Sequence, residues 1–224
     1  MNVASLWQQL EKLESENRFS GEPYPAGLSP FPFRLSGQGF FPGGDGLWHD
    51  DATAPSSGEL PTRGALFLGA DFGTLKSYNK LRGHESVPTW RDLKKRILDA
   101  DLPTEKVFCS NVYPGLRTVG KALGVYPAVA AEGYPLFCAE FLRMQIEALC
   151  PKLIVLMGPV PAVFLQRFEK MLLLGNGSSA ELLFTSHPYG DFALPQGRRE
   201  QLALDLKEAW EQANLSSHPH TFCN

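Results

Sequence analysis

Apolar residues recur every three to four positions near the start of the chain. Val3, Leu6, Trp7, Leu10 and Leu13 alternate with charged residues, which predicts an amphipathic helix over 3–17 packed on the outside of a domain. The period is lost between Ser20 and Thr62, where seven prolines and eight glycines are interspersed with Tyr24, Phe31, Phe33, Phe40, Phe41 and Trp48. Proline and glycine at that density exclude a regular helix or central strand. A free linker would be poor in rings, so the segment is expected to be an extended arm held to the core by its aromatic side chains.

After Thr62 short apolar runs alternate with longer amphipathic stretches, the pattern of successive βα units around a parallel sheet. The runs are 64–69, 106–111, 153–157 and 181–185. Between them, a helix is expected over 89–100, with Thr89 as N-cap, Asp92 near the capping-box position, and Trp90, Leu93, Ile97 and Leu98 inward. A second is expected over 138–149, burying Cys138, Phe141, Leu142, Ile146 and Leu149 and stopped by Pro151. A third covers 160–170, and a closing helix places Leu202, Leu206, Ala209, Trp210 and Ala213 on one face. The expected fold is α/β, a three-layer α/β/α domain over 62–213 with a central four-stranded parallel sheet. Helix and arm (1–61) precede it, and a tail (214–224) follows.

Composition narrows this only slightly. A chain of 224 residues with 43% hydrophobic and 20% charged residues suits one core rather than two. No apolar run approaches the roughly 18 residues a membrane span needs, so a soluble protein without a membrane partner is expected. The first residues lack a basic and apolar leader, and Glu11, Glu14 and Glu16 follow, so an intracellular, cytoplasmic location is expected. Cys109, Cys138, Cys150 and Cys223 show no Cys-x-x-Cys spacing, and reduced, mostly buried thiols are expected.

The candidate chemistry lies at the carboxyl ends of the strands, where an open parallel sheet binds its ligands. The first run leads into Asp71, the second ends at Asn111, and the fourth leads into His187-Pro188. Each alone reads equally as a turn former or a surface loop. Their convergence on one rim is the main functional signal.

Several ordered blocks at these positions resemble the uracil-DNA glycosylase superfamily. They are Phe67-Leu68-Gly69-Ala70-Asp71-Phe72-Gly73, Val107 through Asn111 to Arg117, the helix from Cys138 through Pro151-Lys152 to Gly158, and Phe184-Thr185-Ser186-His187-Pro188. Together they span about residues 62–213. Phe72 stands where many members carry proline, and no cysteine precedes Cys109, so the likeness is to a divergent branch without an iron–sulfur cluster. The resemblance implies a uracil-DNA glycosylase-like fold and an N-glycosylase that flips a base out of DNA and hydrolyses its glycosidic bond, with no metal and no cofactor. It implies Asn111 as the residue reading the base edge, and His187 as donor to the oxygen that gains charge. Asp71 would be the acid orienting water or stabilising the sugar cation, and Phe72 or Tyr78 an aromatic platform. It also implies a monomer with uracil-containing or damaged DNA as partner.

The formal charge of -3 argues against binding DNA by bulk electrostatics alone. The charge is uneven, however: residues 1–60 hold three basic and eight acidic side chains, whereas 76–96 hold seven basic and two acidic ones. Lys76 and Lys80 beside the first motif, and Ser186, Pro188, Arg198 and Arg199 in and after the last, are therefore candidate DNA contacts, although such a run is equally a solvated helix face. A catalytically inactive module of the same fold, binding nucleic acid, a base or a protein, stays open. A nucleotide-binding enzyme is the weaker alternative, because Gly37-Gln38-Gly39 lies in the irregular arm and no Gly-Lys-Ser/Thr loop occurs.

Overall fold

The computed structural model describes residues 3–17, 19, 22, 24–30, 60–76, 88–120, 126–127, 130–174, 180–188 and 193–216. In chain order the elements are α1 (Val3–Glu16), β1 (Leu28–Pro30), β2 (Ala65–Asp71), α2 (Pro88–Asp99), a 3-10 turn (Thr104–Lys106), β3 (Val107–Tyr113) and β4 (Gly115–Arg117). There follow α3 (Tyr134–Leu149), β5 (Leu153–Met157), α4 (Pro159–Glu169), a π-helical turn (Lys170–Leu174), β6 (Glu181–Thr185) and α5 (Gln196–Leu215).

Four strands form one all-parallel sheet in the order β3-β2-β5-β6. The two inner strands are apolar along their whole paired length, from Ala65 to Leu68 and from Leu153 to Met157, because helices cover both of their faces. On one side α4 packs against β5, β2 and β3, and α3 packs against β3; separately, α5 packs on β6 and β5 and carries α2. Helices flanking a parallel sheet in two groups are compatible with three layers. α1 buries Leu6, Leu10 and Leu13 and lies on α3. The chain winds outward from β2 to β3, returns past β2 to β5 and continues to β6. Winding therefore reverses between β2 and β5, and the crevice at their carboxyl ends is where this topology receives a ligand.

Differences from the sequence reading are local. β2 and β3 each run two residues further than the apolar runs, pairing Asp71 with Tyr113, so Asn111 lies inside β3, opposite Gly69, rather than at its end. α2 begins at Pro88, so Thr89 is a helical residue and not the cap; proline suits the first helical position because it has no N–H to leave unpaired. The Asp92 carboxylate accepts from Arg91 Nε at 3.0 Å. Leu98, expected inward, is 51% exposed, because the face set by Leu93 and Ile97 continues through Asp92, Arg96 and Ala100 instead. α3 starts four residues earlier than expected, after Gly133, with Pro135 in its first turn.

The inward residues expected for α3 are all buried, as are Leu202, Leu206 and Ala213 of α5. In the arm, Tyr24 is 3% exposed, its ring 5.8 Å from those of Tyr134 and Phe137. Phe31, Phe33, Phe40, Phe41 and Trp48 lie outside the described residues. The arm also contributes β1, which pairs antiparallel with β4 through Leu28 and Arg117. Cys109 and Cys138 are free and buried, whereas Cys150, expected as a thiol, is disulfide-bonded. Among the described residues, no helix is long and apolar enough to cross a membrane.

Candidate functional site

Asp71 ends β2 with its carboxylate turned back to the protein. Arg117 Nη2 donates to Oδ2 at 2.7 Å and Arg117 Nε to Oδ1 at 3.4 Å, a side-on pair whose side chains are 5% and 9% exposed. The Gly73 N–H donates to the same Oδ1 at 2.8 Å, closing a turn in which Gly73 takes φ 78, a conformation that glycine adopts without cost. The Gly73 carbonyl in turn accepts from the Arg117 N–H at 2.9 Å, tying β4 to the end of β2.

The guanidinium sits over the Tyr126 ring at 5.3 Å, and that ring stacks on Tyr113 at 4.5 Å. Burial pushes the Tyr126 and Tyr113 phenols above their ordinary range, so both rings stay neutral beside the ion pair. The Tyr126 hydroxyl is spent on the Gly115 carbonyl at 2.9 Å. Asp71 is thus fixed in place and paired with Arg117.

Asn111 is 7% exposed and sits inside β3. It lies across β2: a Cβ placed on Gly69 would meet Asn111 Oδ1 at 2.2 Å and Met157 Cε at 3.7 Å. A glycine within a strand here marks a side chain crossing from the neighbouring strand. Gly69 and Asp71 are two residues apart on β2, so Asn111 and Asp71 share one face of the sheet. Tyr113 lies on that face too and meets Phe164 of α4 edge-on at 5.4 Å. Gly69→Ala is therefore expected to swing the Asn111 carboxamide out of place and to abolish any ligand contact it makes. Unfolding by urea together with a ligand titration checks this; a variant that binds like wild type would show that Asn111 does not read the ligand.

His187 follows β6 on the other side of the crevice and is exposed. A Cβ on Gly158, the N-cap of α4, would lie 3.6 Å from His187 Cβ, and the Gly158 N–H donates to the Thr185 carbonyl at 2.8 Å. The strand order thus sets Asn111, Gly69, Met157, Gly158 and His187 in sequence across the rim. The structure places Asp71 with Asn111 on one face of β2 and β3, and His187 two strands away beside α4.

The remaining candidates scatter. Phe72 is 5% exposed and part of the core. Tyr78 and Lys80 lie outside the described residues. Lys76, Arg198 and Ser186 are exposed, Arg199 is half-buried, and Pro188 is buried. The basic run is not one solvated face: Arg96 is 5% exposed and points inward, donating to Thr185 and Ser186.

Arg117 and Arg96 are the residues that sequence reasoning missed. Arg117 stands in the block that carries Asn111, and a lone arginine among Val112, Tyr113 and Leu116 was the available signal, since arginine is buried only when paired. Arg96 had a weaker signal, its four-residue spacing from Asp92 on the face of Leu93 and Ile97.

No family model and no curated protein matches this chain. What the fold defines is an α/β protein with a four-stranded parallel sheet flanked by helices and an asparagine, an ion-paired aspartate and a histidine along its carboxyl rim.

Proposed function

We propose that the protein is a DNA N-glycosylase of the uracil-DNA glycosylase superfamily, hydrolysing the glycosidic bond of uracil or a related damaged base in base excision repair, inside the cell and as a monomer. The single observation that carries this reading is the nearly buried Asn111 carboxamide, reaching across Gly69 at the carboxyl rim of the sheet. A carboxamide offers one acceptor and one paired set of donors, which suits the N3–H and carbonyl edge of uracil.

In this reading Asn111 binds the base edge and His187 donates to the base oxygen that becomes negative as the bond breaks. Asp71 supplies fixed negative charge toward the sugar cation. Its carboxylate is held by Arg117 and Gly73, which fixes it in place to stabilise charge and orient water. Tyr78 is assigned the stacking surface for the base, since Phe72 is part of the core. Lys76, Lys80, Ser186, Arg198 and Arg199 are assigned to the DNA backbone, whereas Pro188 is buried and is given no DNA contact.

Uracil release from single- and double-stranded oligonucleotides is the test. Release that vanishes in Asn111→Ala supports the reading, and no release from uracil or several other damaged bases by wild type would sink it. The Asp71–Arg117 pair favours one second reading, a module that binds a flipped base without hydrolysing it. Retention of uracil-containing DNA by wild type with the base intact would decide for that module.

A further inference from the structure

We propose that Arg96 of α2 is a positioning residue for His187, acting through the two residues that precede it; the proposal rests on His187 being the donor to the departing base. Arg96 Nη1 donates to Thr185 Oγ1 at 2.9 Å and to the Ser186 carbonyl at 3.1 Å, and Nη2 donates to Ser186 Oγ at 3.3 Å. One planar fork therefore grips three acceptors on two consecutive residues, which fixes the direction in which the chain leaves β6 and hence where His187 begins.

The grip comes from within the protein, since Arg96 is 5% exposed on the inward face of α2 between Asp92 and Ala100. A second tether acts from the other side, where the Gly158 N–H holds the Thr185 carbonyl at 2.8 Å. His187 itself is solvent-exposed, and these two ties fix the backbone from which it projects. A donor needs placement to a fraction of an ångström against the developing charge, and a shift of about 1 Å costs roughly a hundredfold in rate. The rigid fork matters here more than the charge. A lysine ammonium can reach one or two of the three acceptors but cannot hold the plane they define.

The test compares Arg96→Met, Arg96→Lys and Thr185→Val in the full chain, each made also in a His187→Ala background. Uracil release, urea unfolding and the long-range proton–nitrogen NMR signals of the His187 imidazole are measured together. Arg96→Met is expected to lower kcat at least about tenfold while KM changes by less than about twofold. Arg96→Lys should recover part of the loss and Thr185→Val should lose less than Arg96→Met.

In the His187→Ala background Arg96→Met should cost nothing more in kcat, because the residue acts only through the imidazole. An equal loss in both backgrounds would overturn the proposal, since it would mark a general structural role. The imidazole signals should move in Arg96→Met, and unchanged signals would overturn it as well. This last measurement needs no activity. Should wild type release no base, the glycosylase reading fails and the imidazole signals alone decide the positioning role. Should Arg96→Met not fold, Arg96→Lys and Thr185→Val make the same comparisons.

Discussion

Replacing Arg117 by methionine is expected to cost about 3–5 kcal/mol of folding stability, because it leaves the Asp71 carboxylate buried and uncompensated. Both side chains are nearly inaccessible, and the pair is made side-on at 2.7 Å and 3.4 Å. The Gly73 N–H at 2.8 Å would remain as a partner, but one neutral donor does not replace a guanidinium. Set against a typical domain stability of about 5–15 kcal/mol, such a loss is large. Removing both charges tells a different story. Asp71→Asn combined with Arg117→Met should be more stable than Arg117→Met alone, since no unpaired charge is left inside and the asparagine can still accept from Gly73. Urea unfolding of the four proteins of this cycle measures the coupling. A loss of less than about 1 kcal/mol for Arg117→Met would mean that the pair behaves as a solvent-screened contact and does not hold Asp71 in place.

The strands were legible because each is a short apolar run: β2 and β5 are buried along their paired length, and β6, though partly exposed, is still apolar from Leu182 to Phe184. Leu153–Met157 and Glu181–Thr185 end where their apolar runs end, and the helices between them follow from three- and four-residue spacing. What escaped was decided by tertiary contact. Hydropathy alone stops the second run at Asn111, but pairing with β2 carries β3 on to Tyr113, and this moves Asn111 from a loop into the sheet. Arg96 counts as surface charge in any composition argument, yet it is buried because three acceptors at the end of β6 wait for it. Likewise β1 and β4 are three residues each and leave no periodic trace, but their pairing brings Arg117 to Asp71. The rim residues could be named from the topology rule; how they are held depends on arginines from distant parts of the chain, and no local pattern encodes that.

His187→Ala is expected to slow uracil release by about a hundred- to a thousandfold, the usual cost of removing one donor to a developing oxyanion. The histidine is exposed in the free protein, where water would weaken its hydrogen bond. On the proposed reading its strength comes from the complex with DNA, which would cover the rim and exclude solvent. The loss should consequently appear in kcat, with KM for the oligonucleotide nearly unchanged, because the interaction forms only as charge develops. Asp71→Asn should also slow release but with a measurable stability change, since it breaks the pair with Arg117, whereas His187→Ala removes an exposed side chain and should leave unfolding by urea almost unaltered. The two variants thereby separate transition-state chemistry from upkeep of the fold. A His187→Ala protein whose KM rises while kcat stays at the wild-type value would make His187 a grip on DNA, and the oxyanion donor would have to be sought elsewhere, with the backbone N–H groups around Gly158 the first place to look.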